Sequence, residues 1–110
     1  MSEIIKINSK CPVNVALKII GGKWRLLIIF QMKDEKKRFG ELKRLIPDIS
    51  EKMLIQELKK LAQTGIVHRK AYKEIPPKVE YSLTEEGKKI LPIIDQISEF
   101  GSGILNNSNH

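Results

Sequence analysis

The chain has 110 residues, 41% of them hydrophobic and 30% charged, and a formal net charge of +7. That length allows one domain with one modest core, and a single cysteine excludes an internal disulfide. The longest apolar run, Leu26–Phe30, is far too short to span a bilayer and no apolar leader opens the chain, so a cytoplasmic location with no membrane partner is expected.

Met1–Lys10 reads as a short lead. Cys11-Pro12 then opens a helix, since proline suits a first helical position whose N–H would be unpaired anyway. The run VNVALKII (Val13–Ile20) is apolar on much of its circumference, and Gly21-Gly22 ends it. Lys23–Lys33 (KWRLLIIFQMK) is apolar all round, the mark of a central buried helix. Its β-branched pair would also suit a strand, but length and flanks favour helix. Asp34–Lys37 is a polar loop.

The next helix, RFGELKRLI (Arg38–Ile46), should bury Phe39, Leu42, Leu45 and Ile46 before Pro47 stops it. After a Pro-Asp turn, Ser50 is the N-cap of a helix running to Thr64. Leu54, Leu58 and Leu61 form its apolar stripe, with Lys52, Gln56, Lys59 and Gln63 opposite. Beyond Gly65, IVHRKAYK and KVEYSLT are strand-like and joined across Glu74-Ile75-Pro76-Pro77. Val79, Tyr81 and Leu83 should face one way, Lys78, Glu80 and Ser82 the other. The two prolines remove donors and keep the tip from extending the sheet.

Thr84 caps the last helix, with Glu85 and Glu86 in its first turn, where the helix dipole favours negative charge. Ile90, Ile93, Ile97, Phe100 and Ile104 form a short heptad-like seam, either a dimer interface or a stripe on the chain's own core. Pro92 should kink this helix, and Ser102–His110 reads as a polar, frayed tail.

The charge is uneven along this order. Residues 1–83 hold 18 Lys or Arg against 9 Asp or Glu, while residues 84–110 hold 2 against 4. The basic charge therefore sits with the helix-turn-helix and hairpin, the footprint of a polyanion partner. The fold class is mainly α with a small β-hairpin wing, a winged helix-turn-helix built to place one exposed helix in a groove of double-stranded DNA. The expected division is a lead over 1–10, a DNA-binding and dimerisation domain over 11–101 and a flexible tail over 102–110.

These residues resemble the HxlR-type winged helix-turn-helix transcriptional regulators of bacteria. The matching pieces are CPVNVALKIIGGKW (Cys11–Trp24), RFGELKRLIPDISEKMLIQEL (Arg38–Leu58), the Gly65-Ile66-Val67 step with Arg69, and YKEIPPKVEYSLTEEGKKILPII (Tyr72–Ile94). The resemblance implies a homodimer built from the N- and C-terminal helices, each protomer offering the Ser50–Thr64 helix to a major groove and its wing to a flanking minor groove or backbone. The chain departs from the family in having Ile55 where Thr is frequent, and Phe100-Gly101 where Trp-Gly is frequent.

Candidate contacts follow. Gln can pair with adenine and Lys with guanine or phosphate, so Lys52 and Gln56 are the expected groove readers. Met53 flanks them, either toward a thymine methyl or toward the core. Ser50 is a cap first, and the helix N-terminus behind it suits a phosphate. Lys59 and Lys60 are expected near the backbone, Arg38 and Lys43 on the helix that crosses it, and Arg69, Lys70, Lys73 and Lys78 in the wing. Each has the alternative of plain solvation.

Cys11 sits at a helix N-terminus beside Lys10, and both features favour a reactive thiolate. In some members of the resembled family an equivalent cysteine senses oxidants or electrophiles, which the resemblance extends to Cys11; the alternative is a small side chain packing the helix start. Any disulfide would have to be intermolecular or with a small thiol. His68 and His110 stand alone, no ligand spacing suggests a metal, and Gly21-Gly22-Lys23 lacks the rest of a phosphate loop. Neither an enzyme nor a cofactor is expected. The function read from the sequence is a sequence-specific transcriptional regulator, acting as a homodimeric repressor on a pseudo-palindromic operator, with room for a small-molecule or electrophile effector. The rival is a non-catalytic winged helix used for protein interaction or non-specific architectural DNA binding.

Overall fold

The computed structural model of the chain describes residues 10–108. Residues 1–9 of the expected lead and the final residues, His110 included, lie outside the described part. The elements in order are α1 (Pro12–Ile20), α2 (Lys23–Met32), α3 (Phe39–Leu45), α4 (Glu51–Gln63), β1 (Val67–Tyr72), β2 (Lys78–Leu83), α5 (Glu85–Lys88) and α6 (Leu91–Ser108).

The apolar helix α2 is the hub. Ile28, Ile29 and Met32 are fully buried, and α2 touches α3, α4, α6 and β2. Its burial is not all-round, however: Leu27 and Phe30 are exposed on one edge. In α3, Phe39, Leu42 and Ile46 set the inward direction. At 3.6 residues per turn Leu45 falls at the edge of that stripe, and it is exposed rather than buried. The turn after α3 is pinned by Ile49, whose side chain is in the core and whose N–H donates to the Ile46 carbonyl at 3.3 Å.

Helix α4 begins as its sequence demands, with Ser50 Oγ accepting from the Met53 N–H at 3.1 Å. Leu54, Leu58 and Leu61 are fully buried and mount it on the core. It ends at Thr64, and Gly65 takes a positive φ of 80°, the left-handed turn in which glycine carries no steric cost. That turn lets the Ile66 N–H return to the Leu61 carbonyl at 2.9 Å.

β1 and β2 pair antiparallel in the register Val67↔Leu83 to Tyr72↔Lys78. Val67 and Leu83 enter the core together. The loop before α3 adds a pairing that its polar sequence does not announce. Lys37 and Tyr81 exchange backbone hydrogen bonds of 2.8 Å in both directions, so β2 is flanked by β1 on one side and by this bridge on the other.

The C-terminal region corrects two expectations. The helix does not kink at Pro92. It breaks at Lys89-Ile90 into α5 and α6, and Pro92 occupies the first turn of α6, where its missing N–H costs nothing. Nor does a tail begin at Ser102: α6 continues through Ser108, carrying Ile104 and Leu105 on the same apolar course as Ile97 and Phe100. Ile90 belongs to the chain's own core, not to an outward seam. Beyond Ile94, none of the residues up to Asn107 is buried, so most of α6 stands clear of the domain. Helix α1 likewise has no buried residue, and Val13, Val15 and Leu17 are exposed.

Candidate nucleic-acid interface

The candidate contacts lie on the outer side of α4, at the start of α3 and on the hairpin. On α4 the buried leucine stripe fixes what points away from it: Lys52, Gln56, Lys59, Lys60 and Gln63 are all exposed. Ser50 is exposed, its hydroxyl engaged in the cap. Met53 is turned from this face and packs partly buried against the core, which resolves its two readings in favour of packing.

Helix α4 is also braced from behind. Arg25 of α2 donates from Nε to Glu57 Oε2 at 2.6 Å, and from Nη1 to the Lys18 and Ile19 carbonyls at 2.9 and 3.3 Å. Both partners of this ion pair have side chains only 16% exposed, and Arg25, through its two sets of bonds, links the end of α1 to the middle of α4.

On α3 the two expected cations separate. Arg38 is exposed at the helix start, where its own N–H donates to Glu41 Oε1 at 2.9 Å. Lys43 is half-buried, and its Nζ donates to the Pro47 carbonyl at 3.0 Å, so it closes the end of α3 as well as facing solvent.

The wing divides its cations by the alternation of the strand. Arg69 lies on the side toward α4, where a shallow groove of about 670 Å³ is lined by Ile55, Leu58, Lys59, Ala62 and Gln63 of α4 and by Arg69 and Tyr81. Lys70 and Lys78 lie on the other side with Tyr72. Their Nζ atoms stand 4.9 and 4.7 Å from the centre of the Tyr72 ring, an attraction between ammonium and ring quadrupole. The Tyr72 hydroxyl donates to Glu80 Oε1 at 2.6 Å, and Lys78 Nζ is 3.7 Å from Glu80 Oε2. The hydrogen bond from Tyr72 and the nearby charges of Lys78, Lys36 and Arg38 hold the Glu80 carboxyl below its ordinary range. The same hydrogen bond, with some loss of solvation and the Glu80 charge, holds the Tyr72 hydroxyl above its own. Lys78 is thus partly neutralised, whereas Lys73 is exposed at the tip.

Two residues of these elements escape a reading based on charge. Tyr72 organises two wing lysines, a role signalled only by its alternation with Lys70 opposite Lys78 and Glu80. Ile55 is an apolar residue left 56% exposed beside the polar face of α4.

Cys11 is the N-cap of α1 and only 7% exposed, so the thiol is buried at the helix start. Among the described residues no group of three His, Cys, Asp or Glu side chains is placed to hold a metal, and no helix is long and apolar enough to cross a membrane.

Residues 19–109 match the HxlR-like helix-turn-helix family. An uncharacterised helix-turn-helix-type transcriptional regulator of Bacillus subtilis strain 168, YybR, is 50% identical over 91 residues, which span 83% of this chain and 73% of the relative. A solved structure described as a MarR-family transcriptional regulator, from Porphyromonas gingivalis W83, superposes with a TM-score of 0.86 at 55% identity, over 90% of this chain and 97% of that one. The redox regulator HypR in its oxidised form superposes with a TM-score of 0.81 at 48% identity, over 84% of this chain and 96% of that one.

Proposed function

Because the chain belongs to the HxlR-like helix-turn-helix family of transcriptional regulators, we propose that it is a homodimeric repressor that occupies a pseudo-palindromic operator in the cytoplasm. One observation carries the reading: α4 is anchored by three fully buried leucines while Lys52, Gln56, Lys59 and Gln63 stand exposed opposite them. That is a rigid mount for amide and ammonium groups at major-groove depth. Arg38, Lys60, Arg69, Lys70 and Lys73 then serve phosphates, which position the protein without reading sequence. The second protomer docks through the apolar sides of α1 and α6. Half-sites lie about one helical turn, roughly 10 bp, apart or a multiple of it.

The test is binding of the purified protein to the DNA upstream of its own gene beside a scrambled duplex, across a salt series. Preference for the upstream DNA, with affinity falling steeply as salt rises, is expected. Equal affinity for both duplexes would favour the architectural rival.

A second reading concerns the signal. The likeness to a redox regulator and the position of Cys11 at the start of α1 support release of DNA on thiol oxidation. Since Cys11 is buried, attack on it requires the start of α1 to open. Diamide should weaken operator binding reversibly in the wild type and leave Cys11→Ser unaffected; a Cys11→Ser variant that still responded would rule the thiol out.

A further inference from the structure

Ile55 is the anomaly on the face just described. Leu54, Leu58 and Leu61 already satisfy the core, each no more than 1% exposed, yet Ile55 beside them is 56% exposed. Lys52 and Lys59, three residues before and four after it, share its side of the helix, and Gln56 is its neighbour in sequence. Ile55 lies in the first half of α4, the part of a recognition helix that enters the groove. It also borders the groove toward the wing, whose ionisable groups besides Tyr81 are the cations Lys59 and Arg69.

The occupant of such a surface is anionic but must also offer something apolar at the depth of Ile55. Among the groups that base pairs present in the major groove of B-form DNA, donors and acceptors make up all but one: the C5-methyl of thymine. We propose that Ile55 reads a thymine methyl in each half-site, making it a specificity-determining residue beside Gln56. The inference rests on the DNA-binding reading above and adds to it a base and a position.

The experiment replaces each thymidine of the selected operator in turn by deoxyuridine, which removes the methyl and leaves every hydrogen-bonding group in place. Affinity of the full chain is read by fluorescence anisotropy at fixed salt. Burial of one methyl-sized group corresponds to roughly a four-fold change in affinity per half-site, so about fifteen-fold when both dyad-related thymidines are replaced. The wild type should show this loss at one dyad-related pair of positions. Ile55→Ala, a change at an exposed position, should show none there, and Ile55→Val should retain most of it. Deoxyuridine penalties identical in wild type and Ile55→Ala at all positions would overturn the assignment while leaving operator binding intact. A wild type that showed no deoxyuridine penalty at any position would likewise overturn the assignment, whereas one that bound a scrambled duplex as tightly as the operator would overturn the operator reading and this inference with it.

Discussion

Phe100 offers the sharpest test of the proposed dimer. The residue is 72% exposed, more than Ile93, Ile97 or Ile104 on the same helix. A phenylalanine side chain can bury about 200 Å², so about 140 Å² of it is open to a partner, of which an alanine would still offer about a third. The remaining difference of about 100 Å², at about 25 cal/mol per Å², is about 2.5 kcal/mol per protomer. A two-fold interface uses the residue twice, so Phe100→Ala should cost the dimer about 5 kcal/mol and raise its dissociation constant by about three orders of magnitude or more. Sedimentation equilibrium over a concentration series measures this directly. Circular dichroism should show unchanged helix content, because Phe100 contributes nothing to the core cluster. A variant that dimerised as tightly as the wild type would refute the placement of the interface on this stretch of α6.

Other expectations separate the parts of the proposed DNA-facing surface. Gln56→Ala should lose about 1–3 kcal/mol for one base position and little for scrambled DNA, whereas Lys70→Ala should weaken all duplexes alike and flatten the salt dependence; equal losses on both duplexes for Gln56→Ala would remove its base-reading role. Tyr72→Phe removes the main cause of the low Glu80 pKa, so the Glu80 carboxyl, followed by NMR, should titrate at higher pH in the variant. Because the folded value lies below the unfolded one, the Glu80 contribution is present above the ordinary glutamate range and lost as pH falls through the folded pKa. The raised Tyr72 value adds a contribution present below the ordinary tyrosine range and lost as pH rises through the folded pKa. Gly87→Ala should lower stability by about 2–4 kcal/mol in urea unfolding, because a Cβ there would lie 2.2 Å from the Ile66 carbonyl oxygen; a variant as stable as the wild type would mean that α5 can shift freely against that turn.

The order of elements from α1 to β2 was legible because each boundary carries its own chemistry: Pro12 and Ser50 at helix starts, Gly65 at an end, strict alternation in β2. The leucine stripe of α4 likewise foretold its exposed face. What failed did so for identifiable reasons. Leu45 and Ile90 were assigned by apolar spacing alone, which cannot tell the edge of a stripe from its centre. Pro92 was read as a kink because the helix was assumed continuous. A break two residues earlier turned the same proline into an ordinary first-turn residue. The polar look of residues 102–108 concealed that Ile104 and Leu105 extend the stripe begun at Ile97. The Lys37–Tyr81 bridge is a backbone contact across more than forty residues, and side-chain patterns in a polar loop do not encode it. Lys43 was read by its charge, whereas the reach of its side chain to the Pro47 carbonyl decides part of its role.

Arg25 gives the domain an internal linkage. Its guanidinium holds the last turn of α1 through two carbonyl oxygens and the flank of α4 through Glu57. The residue capping α1 is the buried Cys11, while the far side of α4 exposes Lys52, Gln56 and Lys59. Helix α1 has no buried residue of its own, though Ile19 and Ile20 pack against the core, and a tilt of it must either part its two hydrogen bonds from Arg25 or pull on α4 through Glu57. A partner's arrival or chemistry at the first residue of α1 that displaced it would therefore act on the flank of α4 through the Arg25 bonds, beside the packing of Ile19 and Ile20 on the core.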